Sequence, residues 1–318
     1  MSDSLTNIRS RIEALGMGFQ FIGTIKTNMN GVERETWLLE YEGSQFVFVA
    51  GQKNVTLGWN PDRCPLGNGV LKSLQEEFAL GHEHYQNELE EIKSDYQEQI
   101  KQAEADSDAA KAEELRSELS EQSETLKEEM SEGGYTAWED FMSKWNEHLS
   151  QCLSPMRTAD IGDMIVEVDS RYIEGEALSL EHAVCSLKKG PFTLATEDEW
   201  EYLCNGGTRT LFRWGDTMDN VITEIYNIGT SNHSEEKSIL GQPNMLGLLI
   251  AYDSYKNEII DHTLYTKGGD GGCSLCGGNG AIYVLPCYTA FYRQSMDEFD
   301  DSSLEDGYFC YRRIIRLP

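Results

Sequence analysis

Basic residues are scarce in this 318-residue chain, and no apolar run has the length that a membrane crossing requires. Lys and Arg number 26 against 55 Asp and Glu, which gives a formal net charge of -29. So acidic a chain repels nucleic-acid phosphates and anionic membranes, and we expect neither as a partner. The opening stretch MSDSLTNIRSRIEALGMGF lacks the basic start and apolar core of a signal peptide. We therefore expect a cytoplasmic protein of bacterial or viral origin.

Three common catalytic motifs are also missing. The sequence contains no G-x-S-x-G, no Walker phosphate loop and no H-E-x-x-H. Hydrolase and nucleotide-binding functions therefore have no support. His82 and His84 stand two positions apart in a helical pattern, where their rings do not share a face, so we interpret them as solvated side chains.

The first part of the chain alternates between short apolar runs and turn residues. FQFIGTIKT, ETWLLEYEG and QFVFVAGQKNVTLGW, within residues 19–60, predict three strands separated by the turn signals NMNG and EGSQ. We assign residues 1–71 to the N-terminal strands of a compact body.

The middle of the chain has no Gly and no Pro between Gly81 and Gly133. Two apolar stripes with helical spacing flank the turn signal ADSDAA. The stripes consist of Tyr85, Leu89, Ile92, Tyr96 and Ile100, and of Leu115, Leu119, Leu126 and Met130. They predict an inserted antiparallel helical hairpin over residues 72–132, which leaves residues 133–318 as the core. The hairpin is either a solvated insertion or a docking arm for a partner helix or a second copy of the chain.

The stretch FTLATEDEWEYLCNGGTRTLFRWGD at 192–216 predicts a capped helix. Thr196 and Glu199 have the spacing of a capping box, and the pair Gly206 and Gly207 is typical of a helix end. Trp200, between them, is expected to point into the core. These features explain a helix and carry no function.

The order of this helix, the glycine pair and LFRWGD resembles the formylglycine-generating enzyme family, the sulfatase-modifying factors. Further segments match that family in order: IYNI at 225–228, PNMLGL at 243–248, KGG at 267–269, and GYFC, RR and LP within 307–318. The resemblance spans roughly residues 175–318. It implies an α+β, C-type-lectin-like, loop-rich fold. The helical hairpin lies outside the family's usual pattern.

The resemblance also implies a copper-dependent oxidation. In the family, two cysteines separated by four residues bind copper(I), and dioxygen then converts a substrate cysteine to formylglycine. Cys273 occupies the first position, but the second cysteine is Cys276, which makes a C-x-x-C with glycines on both sides. Cys273 and Cys276 are thus the catalytic candidates. Apart from the resemblance, this pattern also suits a metal site, a redox dithiol or two incidental thiols in a flexible loop.

Structural cysteines and calcium are further implications of the resemblance. It would join Cys185 to Cys310 and Cys204 to Cys287 as disulfides. In a cytosolic chain these four residues could equally be buried thiols. The resemblance also places a calcium site at Asn227 and Ile228, two of the six to eight oxygen ligands that calcium takes. The family's second calcium motif is absent, since residues 253–261 lack its tryptophans.

Residues 249–300 are rich in Tyr, Asp, Ser, Asn and Gly, a composition typical of adaptable binding surfaces. We predict a ligand face built from the C-terminal loops, and we expect about half of its aromatic residues to be core instead. The predicted ligand-binding residues are Tyr252, Tyr255, Tyr283, Tyr288, Phe291 and Tyr292. We favour a non-catalytic module that binds a protein or peptide. The alternative is the copper-dependent oxidase.

Overall fold

The computed structural model describes residues 2–29, 31–174, 179–218, 221, 239–276, 284–296, 304 and 307–318. Over these residues the protein has a loop-rich α+β fold. The chain divides into two compact units, Met1–Asn68 with Cys152–Pro318, and Gly69–Gln151. None of the described helices combines the length and apolar character that a membrane crossing needs.

The described helices vary widely in length. They are α1 (Ser2–Glu13), α2 (Asn68–Ala105), α3 (Ala109–Glu132), α4 (Trp138–Cys152), α5 (Leu180–Leu187) and α6 (Glu197–Asn205), with a helical turn at Cys273–Cys276 and a 3₁₀ turn at Leu285–Tyr288. The strands are β1 (Gln20–Met29), β2 (Val32–Tyr41), β3 (Ser44–Val49), β4 (Gln52–Leu57), β5 (Arg157–Ile161), β6 (Met164–Glu167), β7 (Arg171–Tyr172), β8 (Asn257–Ile259), β9 (Tyr265–Thr266), β10 (Gln294–Ser295), β11 (Phe309–Tyr311) and β12 (Ile314–Arg316).

A five-stranded antiparallel sheet forms the centre of the first unit. Its strand order is β1-β2-β3-β6-β12, so the last strand of the chain pairs with β6 at one edge. One face of this sheet packs a buried apolar cluster that includes Ile12 of α1, Leu39, Phe46, Ile165 and Ile315. The cluster therefore joins the N-terminal helix, the central strands and the C-terminus in one core.

The third predicted strand is in fact two strands, which corrects our reading of residues 44–57. The chain leaves the central sheet after β3, and β4 pairs with β5 in a separate two-stranded sheet. Gly51 lies at the break, where a Cβ atom would be 2.2 Å from the carbonyl oxygen of Ile161. Only a residue without a side chain permits this close approach of two backbones.

Two smaller sheets bring distant C-terminal segments together. In the order β7-β11-β8, strand β11 pairs antiparallel with β7 and parallel with β8. Strands β9 and β10 form a two-stranded antiparallel sheet. A second apolar cluster, which contains Val184 of α5, Leu194, Ile259 and Phe309, packs these segments against α5.

The capping box predicted for α6 is confirmed. The Thr196 hydroxyl accepts a hydrogen bond from the Glu199 amide at 3.3 Å, and the Glu199 carboxylate accepts one from the Thr196 amide at 2.8 Å. Gly206 ends the helix with a φ of 60°, in the left-handed region. Trp200 is fully buried, as expected, and Leu203 is fully buried as well.

The second unit contains three helices. The Gln122 side-chain amide donates to the Tyr96 hydroxyl at 2.8 Å between α2 and α3, and Ala103, Ala112 and Leu115 are buried near the turn that joins these helices. The unit extends to Gln151 and so includes α4, whereas we assigned that segment to the core.

Aromatic contacts between α2 and α4 explain why the second unit includes α4. The Phe78 ring of α2 lies 5.6 Å from the ring of Trp138 and 5.7 Å from that of Phe141, both on α4. The spacing of apolar residues within each helix could not reveal this contact between helices.

Candidate functional site

Two tyrosine rings lie against Lys256, and two further tyrosines stand next to it in the chain or across the sheet. The Lys256 ammonium is 4.5 Å from the ring centroid of Tyr252 and 5.2 Å from that of Tyr172. Tyr255 precedes Lys256 in the chain, and the Tyr308 carbonyl accepts a hydrogen bond from the amide that follows Lys256 at 2.8 Å. We call Tyr172, Tyr252, Tyr255 and Tyr308 the tyrosine cluster.

The sheet β7-β11-β8 positions this cluster. Tyr172 on β7 pairs with Cys310 on β11, and Tyr308 stands immediately before β11. The turn before β8 is closed by Asp253, whose carboxylate accepts a hydrogen bond from the Tyr255 amide at 2.9 Å. Three short strands therefore bring residues 172, 252–256 and 308 together, although they are far apart in sequence.

Two members of the cluster are exposed to solvent. Tyr172 is 46% exposed and Tyr308 is 39% exposed, and both rank among the few large apolar side chains that are exposed in the described part of the chain. Most exposed large apolar groups on a soluble protein are scattered singly, whereas these lie beside two further tyrosines. The cluster therefore forms an aromatic surface.

A partly buried polar contact fixes the centre of the cluster. The Tyr252 hydroxyl donates to a carboxylate oxygen of Asp169 at 3.0 Å, and the Lys256 ammonium contacts the Tyr252 oxygen and lies 3.6 Å from Asp169. Burial first, and the nearby Asp169 second, raise the pKa of Tyr252 well above its usual value. Tyr252 therefore remains a neutral hydrogen-bond donor, and Lys256 is held by both neighbours.

The helical turn with the two candidate cysteines borders the cluster. The sulfur of Cys276 lies 3.3 Å from the Tyr255 hydroxyl, and this hydrogen bond is the largest of several causes that raise the pKa of Tyr255 to about 12. Cys273 and Cys276 are both exposed. Burial first, and then the charge of Asp270, raise the pKa of Cys273, which favours its thiol over its thiolate.

A buried carboxylate holds the start of the same turn. The buried Asp270 carboxylate accepts hydrogen bonds from the Gly272 amide at 2.8 Å and the Ser274 amide at 2.9 Å. These bonds satisfy amides at the start of the turn, as an N-cap side chain does. The glycine content of the sequence did not reveal this role of Asp270.

The predicted ligand-binding residues divide into three groups. Tyr252 and Tyr255 belong to the tyrosine cluster, and Tyr283 lies outside the described residues. Tyr288, Phe291 and Tyr292 are buried core residues, so their assignment to the ligand face was wrong.

The contacts of two of these residues show the reason. The Phe291 ring is 5.6 Å from the Trp59 ring, and the Tyr288 ring is 6.4 Å from the Trp214 ring. A loop-rich fold with little regular structure uses loop aromatics to fill its interior, and composition does not distinguish that use from a binding surface. The sequence did not predict Tyr172 as a ligand-binding residue, because it lies outside the tyrosine-rich stretch. It did not predict Tyr308 either, because we had assigned that residue only to the family segment GYFC.

The eight cysteines are all free thiols, so the implied disulfides are absent. Cys185 is exposed, whereas its expected partner Cys310 is fully buried. Cys204 and Cys287 are buried as well, and burial is the largest cause that raises the pKa of Cys204, and likewise of Cys310, to about 12. The three buried cysteines agree with the alternative of thiols that pack as small apolar groups.

The structure describes the residues of only one of the two metal sites that the resemblance implies. Asn227 and Ile228, the calcium candidates, lie outside the described residues. Cys273 and Cys276 stand three positions apart on one helical turn, a spacing that directs two side chains to the same side. Their sulfur atoms suit a soft ion such as copper(I). The described part of the chain contains no group of three or more His, Cys, Asp or Glu placed to hold a metal.

Known proteins provide no direct guide to the role of this site. Comparison of the chain with models of protein families, with curated proteins and with solved structures found no significant match. The resemblance to the formylglycine-generating enzymes therefore rests on the sequence motifs described above.

Proposed function

We propose that the protein is a non-catalytic recognition module with a C-type-lectin-like, formylglycine-generating-enzyme-like fold, and that the tyrosine cluster binds a protein or peptide ligand. The observation that carries the proposal is the placement of Tyr172 and Tyr252 against Lys256, with Tyr255 and Tyr308 in the backbone segments that flank it. Tyrosine provides a large, rigid contact area at low entropic cost, together with a hydroxyl for hydrogen bonds.

The buried partners of the motif residues support the fold part of the proposal. Asn244 of PNMLGL donates to the carbonyls of Leu203 and Cys204 at 2.6 and 2.8 Å, which ties that loop to the end of α6. Arg312 near the C-terminus is fully buried and pairs with Glu258 at 3.0 Å. The PNMLGL segment thus contacts the end of α6, and the RR segment contacts β8.

The charges near the cluster indicate the chemistry of the ligand. The Asp169 carboxylate is 45% exposed, whereas Lys256 is 13% exposed and is covered by tyrosine rings. An aromatic surface beside an exposed carboxylate, in a chain with a net charge of -29, attracts Arg and Lys side chains, which can stack on tyrosine faces. We therefore propose a peptide segment that contains Arg or Lys as the ligand.

A displayed library of random peptides tests this proposal. Peptides are selected on the wild-type protein after removal of those that bind the variant Tyr172→Ser/Tyr308→Ser. We expect the enriched peptides to be rich in Arg, Lys and aromatic residues, and to bind the Leu264→Ser variant as they bind the wild type. Leu264 is 57% exposed and lies outside the cluster, so it is a matched control. Enriched peptides that bind the tyrosine variant equally well would contradict the proposal.

A second candidate is the copper-dependent oxidase, which converts a target cysteine to formylglycine. The observation in its favour is that both thiols of Cys273 and Cys276 are exposed on one turn beside Tyr255. Copper, when bound there, would supply dioxygen activation. Burial raises the pKa of Cys273, so copper would have to displace the proton of this thiol on binding.

The oxidase is tested with copper-loaded protein and a Cys-x-Pro-x-Arg peptide in air, followed by mass spectrometry. We expect no conversion of the peptide cysteine. Conversion that disappears in Cys273→Ser would support the oxidase over the recognition module.

A further inference from the structure

A cavity of about 400 Å³ lies next to β7, and neither candidate function uses it. Three aromatic rings, those of Tyr41, Phe192 and Tyr311, contribute to its lining together with the cations Arg171 and Lys189. Its volume falls within the range of pockets that bind small molecules, roughly 300–1,000 Å³. Aromatic rings beside cationic groups form a lining that combines stacking with charge.

The positive charges of two cations in this cavity are only weakly neutralised by carboxylates of the protein. Arg171 is 45% exposed, and its closest carboxylate oxygen, on Glu167, is 3.6 Å from Nε. The Lys189 ammonium makes no hydrogen bond or ion pair with the described residues. Both groups therefore keep donors available to a ligand.

The third cation of the cavity has a structural role. Arg313 binds the Glu167 carboxylate through two hydrogen bonds, of 2.9 and 2.7 Å, and its guanidinium lies 4.8 Å from the Phe192 ring centroid. Arg313 thereby fixes the orientation of Phe192 from one side. Because Glu167 is already paired with Arg313, it neutralises Arg171 only in part.

The charge of the whole chain makes this cavity unusual. The net charge is -29, and yet two cations with little compensation line the same cavity. Among the described lining residues Glu42 is the one carboxylate, and it is exposed at the turn between β2 and β3. A local cationic site within an acidic protein concentrates anions that the remaining surface repels.

We propose that this cavity binds a small aromatic anion, with a phosphate or carboxylate group held by Arg171 and Lys189 and a ring packed against Tyr41, Phe192 and Tyr311. Arg171 is directly opposite Tyr311 in the pairing of β7 with β11, so both side chains lie on one face of the sheet. Tyr172, the next residue, points to the other face. The anion site is therefore separate from the tyrosine cluster, and either can fail without the other.

Isothermal titration calorimetry of the full chain with phenyl phosphate, benzoate and inorganic phosphate tests the proposal. We expect saturable binding of one equivalent of phenyl phosphate or benzoate, and the tighter of the two identifies the preferred anionic group. Inorganic phosphate should bind at least about tenfold more weakly, because it lacks the ring. Arg171→Gln and Lys189→Gln should each weaken binding about tenfold, as expected for loss of a charge-assisted hydrogen bond.

The control removes a positive charge elsewhere. Lys26 is exposed on β1, with its ammonium 3.9 Å from Glu35, and Lys26→Gln should leave the affinity unchanged. All three substituted side chains are exposed, and equal melting temperatures would show that folding is intact. The proposal is overturned if neither aromatic anion binds at millimolar concentration, if inorganic phosphate binds as tightly, or if Arg171→Gln has the affinity of the wild type.

Discussion

Lys267 and Glu201 form an ion pair in the interior of the protein, with 3.2 Å between Nζ and Oε1 and both side chains fully buried. Glu201 lies on α6, and Lys267 belongs to the segment KGG just after β9. The Glu201 carboxylate also accepts a hydrogen bond from the Gly58 amide at 2.9 Å and lies 3.1 Å from Arg157. One carboxylate thus connects three separated parts of the chain.

Removal of one partner of this pair should strongly destabilise the protein. Lys267→Met leaves Glu201 with less compensation in a dry environment, and we expect a loss of about 3–5 kcal/mol in the free energy of unfolding. Urea denaturation measures this quantity. The exposed Lys53, 3.2 Å from Asp160, is the control, and Lys53→Met should cost less than about 1 kcal/mol. Equal effects of the two substitutions would refute a structural role for the buried pair.

The stability of the protein should fall in acid because of Glu197. Burial alone would raise the pKa of this carboxyl, but the hydrogen bonds from Arg293 and the charges of Lys267 and Arg157 lower it from 4.5 to about 2. A lowered pKa stabilises the folded state fully above pH 4.5, and this contribution is lost as the pH falls toward 2. The contribution is on the order of 3 kcal/mol.

Urea unfolding as a function of pH measures this effect. Glu197→Gln should be less stable than the wild type at neutral pH and should lose less stability over the same acidic range. A variant with the same pH dependence as the wild type would assign the acid sensitivity to other carboxyls.

The cysteines should react in two classes with an alkylating reagent at neutral pH. Cys185, Cys273 and Cys276 are exposed and should react in the native protein. Cys204 and Cys310 are buried, with pKa values of about 12, and should react only after unfolding. Mass spectrometry of digested protein identifies the labelled positions. If Cys185 and Cys310 react only after reduction, the disulfide implied by the family resemblance is present after all.

Deletion of the helical unit should leave a well-folded protein when it covers the whole unit, Gly69–Gln151. Replacement of residues 69–151 by a short flexible linker should leave a chain that melts cooperatively. Deletion of residues 72–132 alone removes Phe78 and exposes the ring faces of Trp138 and Phe141 that pack on it, so this shorter deletion should be less soluble. Calorimetry and light scattering measure the two properties. Better behaviour of the shorter deletion would restore the boundary at residue 132.

Local sequence patterns predicted local structure well. The capping box of Thr196 and Glu199 and the left-handed Gly206 follow from residues within one helix, and both are present. The strand break at Gly51 was not predictable, because its cause is the backbone at Ile161, more than a hundred residues away. Sequence spacing describes contacts along one element and contains no information about a neighbour from elsewhere in the chain.

The candidate site shows the same limit. Tyr288 and Tyr252 occur in the same tyrosine-rich stretch, yet the first is core and the second belongs to the surface cluster. Tyr172 reaches that cluster because β7 pairs with β11, a long-range contact. Pattern and composition therefore indicated the region of the proposed binding face, while the members of the tyrosine cluster depended on strand pairing.

The affinity of a selected peptide for single tyrosine variants is the most direct test of the recognition face. Calorimetry would compare wild-type protein with Tyr172→Ala, Tyr308→Ala and the control Leu264→Ala. We expect each tyrosine substitution to weaken binding about tenfold or more, since exposed aromatic side chains at the centre of an interface supply much of its binding energy. Leu264→Ala should bind as the wild type does. Unchanged affinity in both tyrosine variants would contradict the assignment of the tyrosine cluster as the ligand-binding face.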